Sequence, residues 1–216
     1  MQRSGSSVRG LVSLRQFVRK APRTKRCDLC SVPLADKHQH LLIPNTQKLI
    51  CACDPCAILF SSNGETQYRR VPRELDLLTD LDLPDQAWNS LAIPIGLAFI
   101  YRSSATGEVI AVYPSPAGPT ESALDKEAWE DLLKDIPFLA KLTPDVEALL
   151  VNRMNGAREY FRAPIDDCYT LTGVVRKHWR GFSGGDEAWN QIAQFFTELR
   201  KRSYPKAISS NARSFV

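Results

Sequence analysis

Five of the six cysteines in this chain crowd into thirty positions, and their spacing is that of a metal site. Cys27-Asp28-Leu29-Cys30 and Cys53-Asp54-Pro55-Cys56 are two C-x2-C pairs, Cys51 precedes the second pair, and His38 and His40 lie between them. A two-residue gap lets the backbone fold into a knuckle that directs two thiolates at one ion. Two such knuckles complete a tetrahedral four-thiolate site for zinc, with Cys27, Cys30, Cys53 and Cys56 as ligands. Cys51 and the two histidines leave further options. They can replace a member of the four-cysteine set, or hold a second ion. On a strand His38 and His40 point to the same face. His38 reads as a polar residue beside a knuckle, and His40, nearer the hairpin, as the better spare ligand. An iron centre or iron-sulfur cluster would use the same thiolates, but the C-x2-C-x2-C-x3-C-P run of bacterial ferredoxins is missing, so zinc leads.

The segment between the pairs has the means to position them. Leu41-Leu42-Ile43 and Lys48-Leu49-Ile50 are β-prone arms joined by the turn formers Pro44-Asn45-Thr46-Gln47, which predicts a hairpin. Asp54-Pro55 then opens a short helix through Ala57-Ile58-Leu59-Phe60, closed by Ser61-Ser62-Asn63-Gly64. Knuckle, hairpin, and second knuckle opening a helix is the order of a treble-clef zinc module, with the zinc ribbon as its plainer neighbour. The helix N-terminus would favour thiolate charge on the second pair.

Beyond this module the chain reads as an α+β body. Residues 1–26 form a basic arm, 27–64 the cysteine-rich module, 65–203 the body and 204–216 a tail. Ile95 to Tyr101 and Val109 to Tyr113 predict a central hairpin, and Val146 to Val151 with Tyr160 to Ala163 a second one across Asn155-Gly156. Pro114 to Pro119 is too rich in Pro and Gly for a regular element, so a loop is expected there. Helices are expected from Pro84-Asp85, from a cap at Thr120 or Asp125, after Asp166-Asp167 acting as caps, and from Ser183 to Arg202. The expected architecture is antiparallel hairpins with helices against one face.

Several motifs taken together, Arg26-Cys27-Asp28-Leu29-Cys30, His38-Gln39-His40-Leu41, Cys51-Ala52-Cys53-Asp54-Pro55-Cys56-Ala57, Tyr113-Pro114-Ser115-Pro116-Ala117-Gly118, Pro164-Ile165-Asp166-Asp167-Cys168-Tyr169 and His178-Trp179-Arg180-Gly181-Phe182-Ser183-Gly184-Gly185, resemble an uncharacterised bacterial family. The likeness runs from about Arg26 to Arg202. The family is associated with uptake nickel-iron hydrogenase gene clusters, so the resemblance implies an accessory role near hydrogenase maturation or electron-transfer assembly.

Composition narrows the classes. The chain has 216 residues, 44% of them hydrophobic and 24% charged, with a net charge of +4. Eight of its 28 basic residues and none of its 24 acidic ones fall in residues 1–26, so the arm is +8 and the remainder −4. Such an arm suits nucleic acid, an acidic protein surface or anionic lipid. Leu11, Leu14, Phe17 and Val18 give it the spacing of a short amphipathic helix. No run approaches the roughly 18 apolar residues of a membrane span, and cysteines in metal-ligand spacing suit a reducing cytoplasm.

Catalysis finds little support. Cys168 and His178 could pair as nucleophile and base, but ten positions on one helix place them more than two turns apart, and Cys168 sits on an apolar stripe. The run Arg180 to Gly185 lacks the Lys-Ser/Thr of a phosphate loop. The leading expectation is a non-catalytic zinc protein with a protein partner. A nucleic-acid-binding zinc protein and an iron or dithiol redox protein are the alternatives.

Overall fold

Apolar residues in alternation, punctuated by turn formers, give the hairpin of the cysteine-rich module. In the computed structural model, which describes residues 25–61, 67–115, 118–181 and 184–208, β1 (Gln39–Ile43) pairs antiparallel with β2 (Lys48–Ala52), Leu41 opposite Ile50 and His40 opposite Cys51. Gln47 closes the turn in the left-handed region, at φ 51°. The helix α1 (Asp54–Ser61) follows, and β3 (Arg69–Arg70) adds to the free side of β1. The expected end of α1 at Ser62 to Gly64 lies outside the described residues, as does the basic arm up to Thr24.

Strand alternation gives this hairpin two working faces. Leu41, Ile50 and Ala52 pack with Cys27, Cys56 and Ala57 into a small core of the module's own. Leu42 and Leu49, on the opposite face, join the main core of the chain with Val71 and Leu75. The module is therefore packed onto the body through the same hairpin that links its two knuckles.

The body is a seven-stranded sheet in the order β10-β4-β9-β8-β5-β6-β7, built from β4 (Asp76–Leu78), β5 (Leu97–Arg102), β6 (Val109–Ser115), β7 (Gly118–Ala123), β8 (Glu147–Asn152), β9 (Glu159–Pro164) and β10 (Tyr204–Lys206). Both hairpins expected from the sequence are present, and Asn155 at φ 52° with Gly156 at φ 79° makes the second turn. One face of the sheet, with Phe99, Leu150 and Phe161, is covered by α4 (Ile165–His178) and α5 (Gly185–Arg202) through Leu171, Val175, Ile192 and Phe196. The other, with Ile100, Leu149 and Val151, is covered by α2 (Asp85–Ser90), α3 (Lys126–Asp135) and the turn of 3-10 helix Pro137–Lys141. Helices thus lie on both faces, not one. The physical reason is in β5 and β8, where consecutive residues are all buried except Arg102, so neither face of the central pair can meet water.

Three smaller expectations are corrected. Pro114 and Ser115 are not loop: they end β6 opposite Pro119 and Gly118 of β7. β7 is the edge strand of the sheet, and β6 has passed its last pairing with β5 at Val112 before Pro114, so both prolines sit where the ladder is one-sided. Thr120 consequently belongs to β7, and Asp125 alone caps α3, its carboxylate accepting from the Ala128 amide at 3.0 Å. Tyr204–Lys206, expected in a tail, pair parallel to β4, with Lys206 on the Asp76 carboxylate at 2.9 Å. The final helix starts at Gly185; the cap expected at Ser183 lies outside the described residues. Gly184 precedes the helix at φ 85°, where a Cβ would come within 3.0 Å of the Trp179 ring, so glycine is required twice over.

Candidate metal centre

The first knuckle is closed by the backbone. Ser31 adopts φ 64°, its amide donates to the Cys27 carbonyl at 2.8 Å, and the Cys27 amide donates to the Val32 carbonyl at 2.9 Å. Asp28 then ties this knuckle to the end of β2: its amide donates to the Cys51 carbonyl at 2.8 Å, and its carboxylate accepts from the Cys51 amide at 2.6 Å. The second knuckle opens α1, with the Ala57 amide donating to the Cys53 carbonyl, and Gln39 of β1 donates to the Asp54 carboxylate at 2.8 Å. Three separate stretches of chain are thereby held at fixed spacing around four sulfurs.

Those sulfurs, of Cys27, Cys30, Cys53 and Cys56, lie within 4.8 Å of one another. Cys30 and Cys53 Sγ are 3.7 Å apart. A tetrahedral zinc with Zn–S bonds of about 2.3 Å requires sulfur separations of about 3.8 Å, so the donor set fits such an ion. The four thiols are unequal as acids. Burial pushes Cys27 up, yet backbone groups of Cys53, Cys30 and Leu29 outweigh it and bring Cys27 down to about 6. Cys56 is pushed up to about 12, first by its contact with the Cys53 thiol and then by burial. A metal must displace the protons these sulfurs hold, so uptake releases protons and weakens in acid.

Cys51 is not a member of this set. It stands opposite His40 on the hairpin face away from the module core, and with His38 and His40 it forms a second cluster whose ligand atoms all lie within 4.8 Å. The two histidine rings meet edge to face, their centroids 4.9 Å apart. His40 Nδ1 lies 2.6 Å from the Asp166 carboxylate. Asp166 and Asp167, expected as helix caps, do not cap α4: Pro164 stands at the N-cap with no side-chain cap bond, and the two acids, in the first turn, reach outward, Asp166 to His40 and Asp167 to Arg202 at 2.8 Å. Sequence reasoning missed this link. A carboxylate 126 positions away from its histidine leaves no local signal.

The remaining sequence candidates do not form a site. Cys168 is fully buried in the main core, and burial, then Asp167 and Asp166, push its thiol well above the usual range. His178 pairs with Glu187 at 3.0 Å instead. Among the described residues no helix is long and apolar enough to cross a membrane.

No curated protein and no solved structure matches the chain. A family model matches residues 26–203, a span that takes in both knuckles, β1 to β9 and α1 to α5, and the chain therefore belongs to that family, the family of unknown function DUF5947.

Proposed function

We propose that this protein is a non-catalytic, zinc-binding accessory protein that works through protein contacts in hydrogenase maturation or the assembly of its electron-transfer partners. The observation that carries the metal half of this reading is the set of four sulfurs within 4.8 Å, with Cys27 and Cys56 in the module's own small core and Cys30 at its surface. A core of so few apolar residues gains most of its stability from an ion that binds only the folded state. The order of knuckle, hairpin and helix-opening knuckle supports a treble-clef module, and all-thiolate donors support zinc in a structural role.

The contact half rests on surface chemistry. Ile58 and Leu59 of α1 are 58% and 68% exposed, and Val32 beside the first knuckle is 44% exposed. Large apolar side chains displayed on a metal-rigidified module suit a protein partner. The pathway rests on the motif resemblance described above.

The test is metal analysis and a visible spectrum of protein purified without oxygen, followed by co-purification with hydrogenase subunits at moderate salt. Colourless protein with zinc at the four thiolates, and a retained hydrogenase partner, is the expected result. Iron with thiolate-to-iron absorption would overturn the structural role and make electron transfer the function. Retention of nucleic acid through residues 1–26 in place of a protein partner would overturn the contact reading.

A further inference from the structure

Neutral imidazole binds metal through one nitrogen while the other, as N–H, donates to a carbonyl or carboxylate that fixes the ring. Both histidines of the second cluster are held in that way. His38 Nδ1 lies 2.8 Å from the Ala35 carbonyl, which can only accept, so the proton is on Nδ1 and the lone pair on Nε2. His38 Nε2 is buried and has no hydrogen-bond partner. A buried acceptor left empty costs stability, and an unexplained one calls for an occupant. His40 Nδ1 faces the Asp166 carboxylate at 2.6 Å, which likewise leaves Nε2 as its donor atom. Cys51 completes the group because β-pairing sets it directly opposite His40.

We infer that His38, His40 and Cys51 form a second metal site, distinct from the four-thiolate centre and open at one position. Two imidazoles and one thiolate suit a borderline divalent ion such as Zn2+. Three protein donors leave a fourth tetrahedral position for water or an exogenous ligand. Space for it exists on both sides of His40. One cleft of about 340 Å³ is lined by His38, His40, Asp166, Lys37, Arg73 and Arg202. Another, of about 270 Å³, is lined by His40, Cys51, Asp166 and Tyr169. The lining of the first sets Lys25, Lys37, Arg73 and Arg202 against Asp36, Asp166 and Asp167, with Arg202 already on Asp167 at 2.8 Å, so its charge is nearly balanced and admits a small anion or water alike. The site lies at the seam between module and body: its donors come from the hairpin and its positioning carboxylate from α4.

This inference does not depend on the role of the four-thiolate centre, and one titration separates the two. Anaerobic full-length protein, stripped of metal, is titrated with Co2+ while absorption is followed. The expected stoichiometry is two ions per chain, falling to one in Cys51→Ser and in His38→Ala, with the four-thiolate charge-transfer band intact as proof of folding. Asp166→Asn keeps all donors, so it should retain two ions but weaken the second by about 10–100-fold. Azide should shift the d–d bands of the second ion alone. A wild-type stoichiometry of one with the four-thiolate band present, or two tightly bound ions in Cys51→Ser, would overturn the second site. An ion lost in Cys51→Ser but not in Cys27→Ser would support it while refuting the four-thiolate centre. Bands unmoved by azide would overturn the open position.

Discussion

The two candidate metal centres lie on opposite faces of one hairpin and differ in what holds them. The four-thiolate centre takes its ligands from two knuckles, and the bonds that fix them, Asp28 to Cys51, Gln39 to Asp54 and the closed turn at Ser31, all fall within residues 27–54. The His38, His40 and Cys51 centre has local donors, but the carboxylate that orients His40 arrives from α4. Alternation along β1 and β2 separates the two groups: Leu41, Ile50 and Ala52 face the knuckles, whereas His40 and Cys51 point to the other side. Local sequence therefore specifies the first candidate centre, whereas the second has local donors but needs the body to supply the carboxylate that orients His40.

Removing one thiolate should break the comparison most severely. Zinc binding to small modules is worth roughly 10–16 kcal/mol at neutral pH, and losing even about 3 kcal/mol of it would speed local opening by about 100-fold. Cys56→Ser should therefore expose the amides of β1 and β2 to hydrogen exchange while those of β5 and β8 stay protected. Unchanged protection in the hairpin would mean that the body, not the ion, holds it.

Adjacent leucines sharpen the same contrast. Leu41 and Leu42 are both fully buried, one in the module core and the other in the main core. Leu42→Ala should cost about 2–5 kcal/mol in denaturant unfolding and weaken binding at the seam site first. Leu41→Ala should spare the body and accelerate metal loss from the four thiolates. Equal effects of the two substitutions on both ions would show that the faces are not independent.

What was legible in the sequence follows the same division. C-x2-C spacing, the turn at Pro44 to Gln47 and the Asn155-Gly156 turn are local signals, and each leads to the element observed. The grouping of Cys51 with the histidines was open in sequence because it depends on register: a slip of one residue would set Cys51 beside Gln39 or Leu41. Asp166 carries the sequence signature of a cap because acids favour helix starts, yet Pro164 takes that position and the carboxylate turns to His40. Pro114 to Pro119 misled for the converse reason, because proline and glycine signal a loop everywhere except along a sheet edge. The run of buried positions in β5 and β8 was visible as apolar density, yet one chain segment cannot tell which helices will cover its two faces.

The seam has an ionic contact that a milder change can probe. Arg69 of β3 reaches Asp145 of the body at 2.8 Å, and Asp145 is fully buried, with the Ser104 amide donating to its other oxygen at 2.8 Å. Arg69→Ala leaves that buried charge without its counter-ion, since Oδ2 holds the ion pair but no hydrogen bond. Because the Arg69 side chain is 40% exposed and water screens it, the expected cost is about 1–3 kcal/mol, below that of a fully buried pair. Thermal unfolding measures it. An unchanged midpoint would mean that the apolar contacts of Leu42 and Val71, with the His40–Asp166 pair, dock the module without it.

The smallest effect is expected at Cys168, the one cysteine outside both centres. Its thiol lies in the main core with no exposed surface, and burial raises the cost of forming the thiolate that alkylation or metal binding requires. Folded protein should therefore leave Cys168 unmodified by iodoacetamide, with modification appearing only as the body unfolds. Cys168→Ala removes one buried heavy atom and should cost about 1 kcal/mol, with both metal equivalents retained. Prompt alkylation of Cys168 in otherwise native protein would contradict this and reopen a nucleophilic role. That role would still need a base, and His178 is turned toward Glu187 at the far end of α4. Reactivity that follows global unfolding would instead confine the chain's thiol chemistry to the two faces of the hairpin.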